Sequence, residues 1–111
     1  MKKIGGNITA TIQVCSSSVN IIGEAVKQWN DALTVKGFLD LVGEDTDISS
    51  FKTKLPQSTH VFVSDFFPLN NITVENSRLV IGGNIYEILL IDDPMALSQQ
   101  YEFYLKQKGG L

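Results

Sequence analysis

Two β-branched and aliphatic runs, one ending at Ile81 and one opening at Ile85, flank Gly82-Gly83-Asn84 in the stretch Arg78 to Asp92. The pattern predicts a tight hairpin, because glycine enters the positive-φ conformations of such turns without a Cβ clash. With pairing centred on the glycines, Leu79 and Ile81 share one face and Val80 takes the other. In the second strand Tyr86, Ile88 and Leu90 alternate with Ile85, Leu89 and Ile91. Both faces of that strand are apolar. A half-exposed hairpin would carry polar residues at alternate positions, so the strand belongs either at the centre of a closed barrel or sandwich or beneath a neighbouring subunit.

The same period-two pattern runs from Asn7 to Val14, where Ile8, Ala10, Ile12 and Val14 alternate with polar residues. Ser16-Ser17-Ser18 with Asn20 predicts an exposed polar turn or loop, and Gly23 a change of direction. Glu24 to Leu41 is ambiguous. Val26, Trp29 and Leu33 fit a helical spacing, but Val26 and Trp29 favour strands, Asn30-Asp31 signals a turn or bulge, and Gly37 disfavours a helix. Two strands, or one long bulged strand, are expected there. Gly43 to Gln57 is polar, aperiodic and ends at a proline, which predicts a long mobile loop; connections longer than about 12 residues are usually functional or disordered.

Ser58 to Phe67 predicts a strand with His60, Phe62 and Ser64 on one face and Val61, Val63 and Asp65 on the other, ended by Pro68. A short extended piece is expected at Ile72 to Val74. One helical turn is expected over Met95 to Leu97, with Asp93 as its cap and Pro94 at its first position. The last strand, Gln100 to Gln107, puts Tyr101, Phe103 and Leu105 on one face, and residues 108–111 are expected as a flexible tail. The sum is a mainly β single domain, a small barrel of about six or seven antiparallel strands with one long loop.

Composition narrows the function. The 111 residues suit one core. Nine basic against twelve acidic side chains give a net charge of −3, with no surplus to neutralise phosphates, so tight nucleic-acid binding is disfavoured. Cys15 is the lone cysteine, which excludes an intrachain disulfide or a zinc cluster built on cysteines and fits a packed or strand-end side chain. No apolar run approaches the roughly 18 residues of a bilayer span, and Gly5, Gly6 and Asn7 interrupt the place where a signal peptide's apolar stretch would follow Lys2 and Lys3.

Catalytic chemistry finds no anchor. His60 is the single imidazole and has no nucleophile motif near it, so a packed strand histidine is expected. Asp40, Glu44, Asp45 and Asp47 lack the spacing of a calcium loop. Gly82-Gly83 precedes a strand, which removes a phosphate cradle at a helix start. Trp29, Phe66, Phe67 and Tyr104 lack the basic interleaving of a base-stacking platform and are expected in the core or at an interface. No catalytic residue, cofactor site or metal site is assigned.

Taken as an ordered set, TIQV at Thr11 to Val14, Gly23 followed by Trp29, STHVFV at Ser58 to Val63, and NSRLVIGGNIYEILLID at Asn76 to Asp92 are familiar. They resemble the head-closure proteins of long-tailed bacteriophages, also called head-completion, stopper or head-tail connector proteins. The resemblance implies a non-enzymatic β-barrel that forms a homo-oligomeric ring of about twelvefold symmetry below the portal and adaptor. Such a ring closes the DNA-filled capsid and docks the tail. Its implied partners are copies of itself, portal or adaptor proteins, a tail-terminator or tail protein, and packaged DNA passing without sequence recognition. No membrane is implied, and the place is the virion head-tail interface, with host cytoplasm during assembly. The family's gating loop matches Gly43 to Gln57 by position, which makes Asp45, Asp47, Ser49, Phe51, Lys52 and Lys54 the candidate channel residues. Tyr86, Ile88 and Leu90 of the two-faced strand, with Trp29, are the candidate subunit interface. Two other readings stand beside this one: a tail-completion protein of the neighbouring ring, and a small β-barrel adaptor that binds a peptide or ligand through Trp29, Phe66 and Phe67.

Overall fold

A computed structural model describes residues 6, 8–41 and 58–111. The Gly82-Gly83 turn forms as its sequence demands, with φ of 56° and 81° joining β4 (Ser77–Ile81) to β5 (Asn84–Asp92), and Ile81 pairs directly with Asn84. Around this hairpin lie β1 (Ile8–Val19), β2 (Ala25–Leu41), β3 (His60–Asp65) and β6 (Gln100–Gly110). The six strands form a closed barrel in the order β1-β2-β3-β6-β5-β4, with every neighbour antiparallel. Closure comes where β4 returns to β1, from Thr11 opposite Val80 to Val14 opposite Ser77.

The core is the set of alternate positions that face inward. Ala10 and Ile12 of β1, Phe62 of β3, Leu79 and Ile81 of β4, Tyr86 and Ile88 of β5, and Tyr101, Phe103 and Leu105 of β6 make one buried cluster. Gly37 is required where β2 crosses β3, because a Cβ there would run into the Val63 carbonyl oxygen and the Phe62 ring. The segment after β3 closes one end of the barrel, with Phe67, Leu69, Ile72 and Val74 packed onto the core. Asn76 fastens it: its Nδ2 donates to the Asn71 carbonyl at 2.8 Å, and its Oδ1 accepts the Thr73 N–H at 2.9 Å.

Several expectations change. Ser16 to Ser18 are strand, not loop, because β1 continues to Val19 and the turn comes at Asn20 to Gly23. The ambiguous stretch takes the second of its two expected forms, one long bulged strand, β2, with Ala32 as the extra residue between Leu33, which pairs with Ile12, and Asp31, which pairs with Gln13. The closed barrel encloses one face of β5, and Glu87 on the other face is exposed. Tyr86 and Ile88 face the barrel interior, so they are not available as a subunit interface. Leu90 does not share their face. A bulge at Leu89 puts Leu90 opposite Tyr104 and turns Ile91 toward the core. Ile72 to Val74 are not extended strand. Pro94–Ala96 is a single turn in which Met95 and Ala96 have φ of 56° and 54°, and Asp93 Oδ1 accepts the Ser98 N–H at 3.0 Å rather than capping the turn. Lys108 to Gly110 extend β6 instead of forming a loose tail, and the Leu111 N–H donates to the Gly83 carbonyl at 2.9 Å. The expected loop Gly43 to Gln57 lies outside the described residues.

Candidate docking surface

β1 and β2 outrun the barrel. β4 stops pairing with β1 at Val14, while β1 and β2 continue through five pairs, from Cys15 with Trp29 to Val19 with Ala25. At about 3.4 Å per residue this two-stranded arm reaches roughly 20 Å beyond the last barrel pair. β2 pairs with β3 only from Gly37 onward, so among the described residues neither edge of the arm has a strand beside it. At the arm's base the Cys15 N–H donates to the Asn76 carbonyl at 2.7 Å.

The arm ends in a fixed turn with an apolar surface. Asn20 Oδ1 accepts the N–H groups of Ile22 and Glu24 at 3.1 and 2.9 Å, the Asn20 N–H donates to the Glu24 carbonyl at 3.0 Å, and Gly23 takes φ of 85°. This side-chain closure of the turn holds Val19, Ile21 and Ile22 outward, with relative exposures of 72, 103 and 77%. On the face continuing from the barrel interior the arm carries Ser16, Ser18, Gln28 and Asn30 with one exposed apolar side chain, Val26, and Asn30 Nδ2 donates to Ser16 Oγ at 3.2 Å.

A row of polar side chains ties the base of the arm to the outer barrel wall. Gln13 Nε2 donates to Asp31 Oδ1 at 2.9 Å, and Arg78 Nε donates to Gln13 Oε1 at 2.8 Å. The Arg78 guanidinium also lies 4.2 Å from the Trp29 ring centroid, a cation–π contact that joins β2 to β4 across β1. Glu87, opposite Arg78 in register, pairs with Lys108 at 3.4 Å, both half exposed. Trp29, Ser77, Arg78, Ile85, Glu87 and Lys108 line a groove of about 370 Å³. On the other side of the arm's base, Val14, Ala32, Leu33, Leu69 and Ile72, with Asn70 and Asn71, line a notch of about 260 Å³.

Of the four candidate interface residues, Trp29 alone stands at this surface. Leu90 lies half-buried opposite Tyr104 and is not part of the groove lining, and the other two are core. Asp45, Asp47, Ser49, Phe51, Lys52 and Lys54 all lie outside the described residues. The aromatic set is not one platform: Phe66 and Phe67 pack on Tyr101 at 5.0 and 5.2 Å, Tyr104 is buried, and Trp29 sits with Arg78. The sequence reading missed Val19, Ile21 and Ile22. The available signal was an Asn-x-x-Gly turn carrying two isoleucines, Asn20 to Gly23.

The titratable groups are structural in their surroundings. His60 stands edge-on to Tyr86 with centroids 5.1 Å apart, its Nδ1 is 2.9 Å from Thr59 Oγ1, and burial lowers its pKa. Burial, then the Glu102 charge, pushes the Tyr104 phenol well above its ordinary range, with its hydroxyl donating to Glu102 Oε1 at 3.1 Å. Among the described residues no three His, Cys, Asp or Glu side chains converge as a metal site, and no helix is long and apolar enough to cross a membrane.

No protein-family model matches the sequence, and no curated protein matches it. Among solved structures, the chain is similar to the solution structure of protein SF1141 from Shigella flexneri 2a, with a TM-score of 0.72 and 21% identity over 96% of each chain. At that identity the likeness speaks to the fold, and it extends over nearly the whole length of both proteins.

Proposed function

We propose that this chain is a non-enzymatic structural subunit of a bacteriophage head-tail connector, forming a ring below the portal or adaptor that closes the DNA-filled capsid and docks the tail. The family resemblance of the sequence motifs supplies the assembly. The observation that carries a docking role is the arm, whose apolar tip the barrel cannot cover. Fully exposed aliphatic side chains each leave roughly 1.5 to 3 kcal/mol of burial free energy unrealised. Held on a fixed turn at the end of a projecting hairpin, they have the character of a protein contact. A hairpin of two strands is marginal by itself in water. It gains a third layer only by docking. The charge of −3 suits a ring through which DNA slides without being held.

The test is co-sedimentation of the purified protein with portal-containing, DNA-filled capsids from the same source. Binding with retention of packaged DNA supports head closure. A protein that stays in the supernatant while the capsids lose their DNA contradicts it, and binding to isolated tails instead points to the tail-completion ring.

A further inference from the structure

We propose that the arm tip of one subunit seats in the notch at the base of a second copy's arm, so that each molecule gives one contact and receives one. The proposal rests on the ring reading above and specifies the contact that would close the ring.

Both halves of the contact are on this chain. The tip offers Val19, Ile21 and Ile22 on a turn already fixed by Asn20, so little conformational freedom remains to be lost on docking. The notch offers an apolar floor from Val14, Ala32, Leu33, Leu69 and Ile72 in about 260 Å³, space of the order of one or two isoleucine side chains. Among the described residues no charged side chain lines it. Its two polar side chains, Asn70 and Asn71, are amides able to pair with turn backbone groups at the arm's open edge.

The tip of a molecule cannot reach its own notch. The five arm pairs hold the tip roughly 20 Å from the base, and folding back would break them. A tip seated in a notch is therefore a contact between two copies. The contact joins two different surfaces of identical subunits, which is the head-to-tail arrangement that closes into a ring when the rotation permits. It is also compatible with the net charge of −3 on every copy, because the facing patches are neutral apart from Glu24 beside the tip.

The test uses directed disulfide formation in a Cys15→Ser background. Ile22→Cys and Asn71→Cys are made in separate chains, then oxidised alone and mixed. The mixture is expected to give the linked dimer at about tenfold or greater yield over either variant alone, and Ile21→Ser with Ile22→Ser is expected to weaken self-association measured by sedimentation by roughly tenfold per isoleucine. A mixture that links no better than the single variants overturns the proposal, as does unchanged self-association in the double serine variant. Linking without capsid binding supports this contact while contradicting the connector role. Capsid binding without linking overturns this contact alone and gives the tip a different protein partner.

Discussion

The same two strands build the most buried and the most exposed parts of the molecule. From Thr11 to Val14, β1 is paired on both sides, and within the barrel it sends Ala10 and Ile12 into a core they share with all the other strands, both fully buried. Between Cys15 and Val19 it has β2 alone for company, polar residues on both faces, and an apolar tip in water. β1 remains a strand paired with β2 across the boundary. What changes is the loss of a third strand and of an enclosed face, and with them the reason for alternation. The barrel thus encloses a core and the arm encloses none.

The sharpest way to break this comparison is a pair of truncations, one on each side of the boundary. Phe103→Ala, in the core, is expected to cost about 3 to 5 kcal/mol and to abolish or greatly lower the thermal transition. Ile21→Ser with Ile22→Ser, at the tip, is expected to leave the dilute protein's melting temperature within about a degree, since nothing buried is removed. Equal destabilisation by both would show that the tip belongs to the core. Gly37→Ala comes next in size. The added Cβ meets the Val63 carbonyl and the Phe62 ring, and crowding of this kind typically costs about 1 to 3 kcal/mol, readable by urea unfolding. A stability equal to that of the unmodified protein would mean that β2 and β3 do not approach there as closely as described.

These contrasts also explain what could be read from sequence. Alternation is legible wherever a strand has one face in a core, so β4, β5, β6 and the first half of β1 were recoverable, and Gly82-Gly83 identified its own turn. The arm offered no such signal. Ser16, Ser17 and Ser18 are polar on successive faces because neither face is enclosed, and such a strand looks like a loop. Leu90 was assigned to the wrong face because a bulge at Leu89 shifts the period by one, which strict alternation does not reveal. Tyr86 and Ile88 look like a neighbour's surface in sequence because the bulge at Leu89 brings residues of both alternating sets toward the core, which makes β5 look apolar on both faces. The tip was missed for a different reason: two isoleucines in a turn have no periodic partner to mark them as a surface.

Smaller effects sharpen the boundary itself. Trp29→Ala removes the Arg78 contact that joins arm to wall, a loss of about 0.5 to 1 kcal/mol at an exposed site. Amide exchange is expected to quicken from Ser16 to Gln28 while the core amides of β3 and β6 stay unchanged; quickening throughout the barrel would contradict a local role. The mildest effect is one of pH and belongs to the barrel. Burial depresses the His60 pKa below the ordinary value of about 6.5, so the fold favours the neutral ring. Its contribution is fully present above about pH 6.5 and is lost as pH falls from there through the lower folded-state value. The melting temperature is expected to fall more steeply below pH 6.5 in the unmodified protein than in His60→Gln; parallel profiles would remove His60 as the cause.

Whether docking completes the arm while the barrel stands alone is read by residue-resolved hydrogen exchange at a dilution where sedimentation shows a monomer, and again after assembly. Fast exchange is expected at Ser16 to Val19 and Ala25 to Gln28 in the monomer, with slow exchange in β3 and β6 and a gain of protection on assembly concentrated in the arm and the notch around Asn70 to Ile72. Arm amides as protected as the core in the monomer, or protection gained elsewhere while the arm stays open, would contradict it.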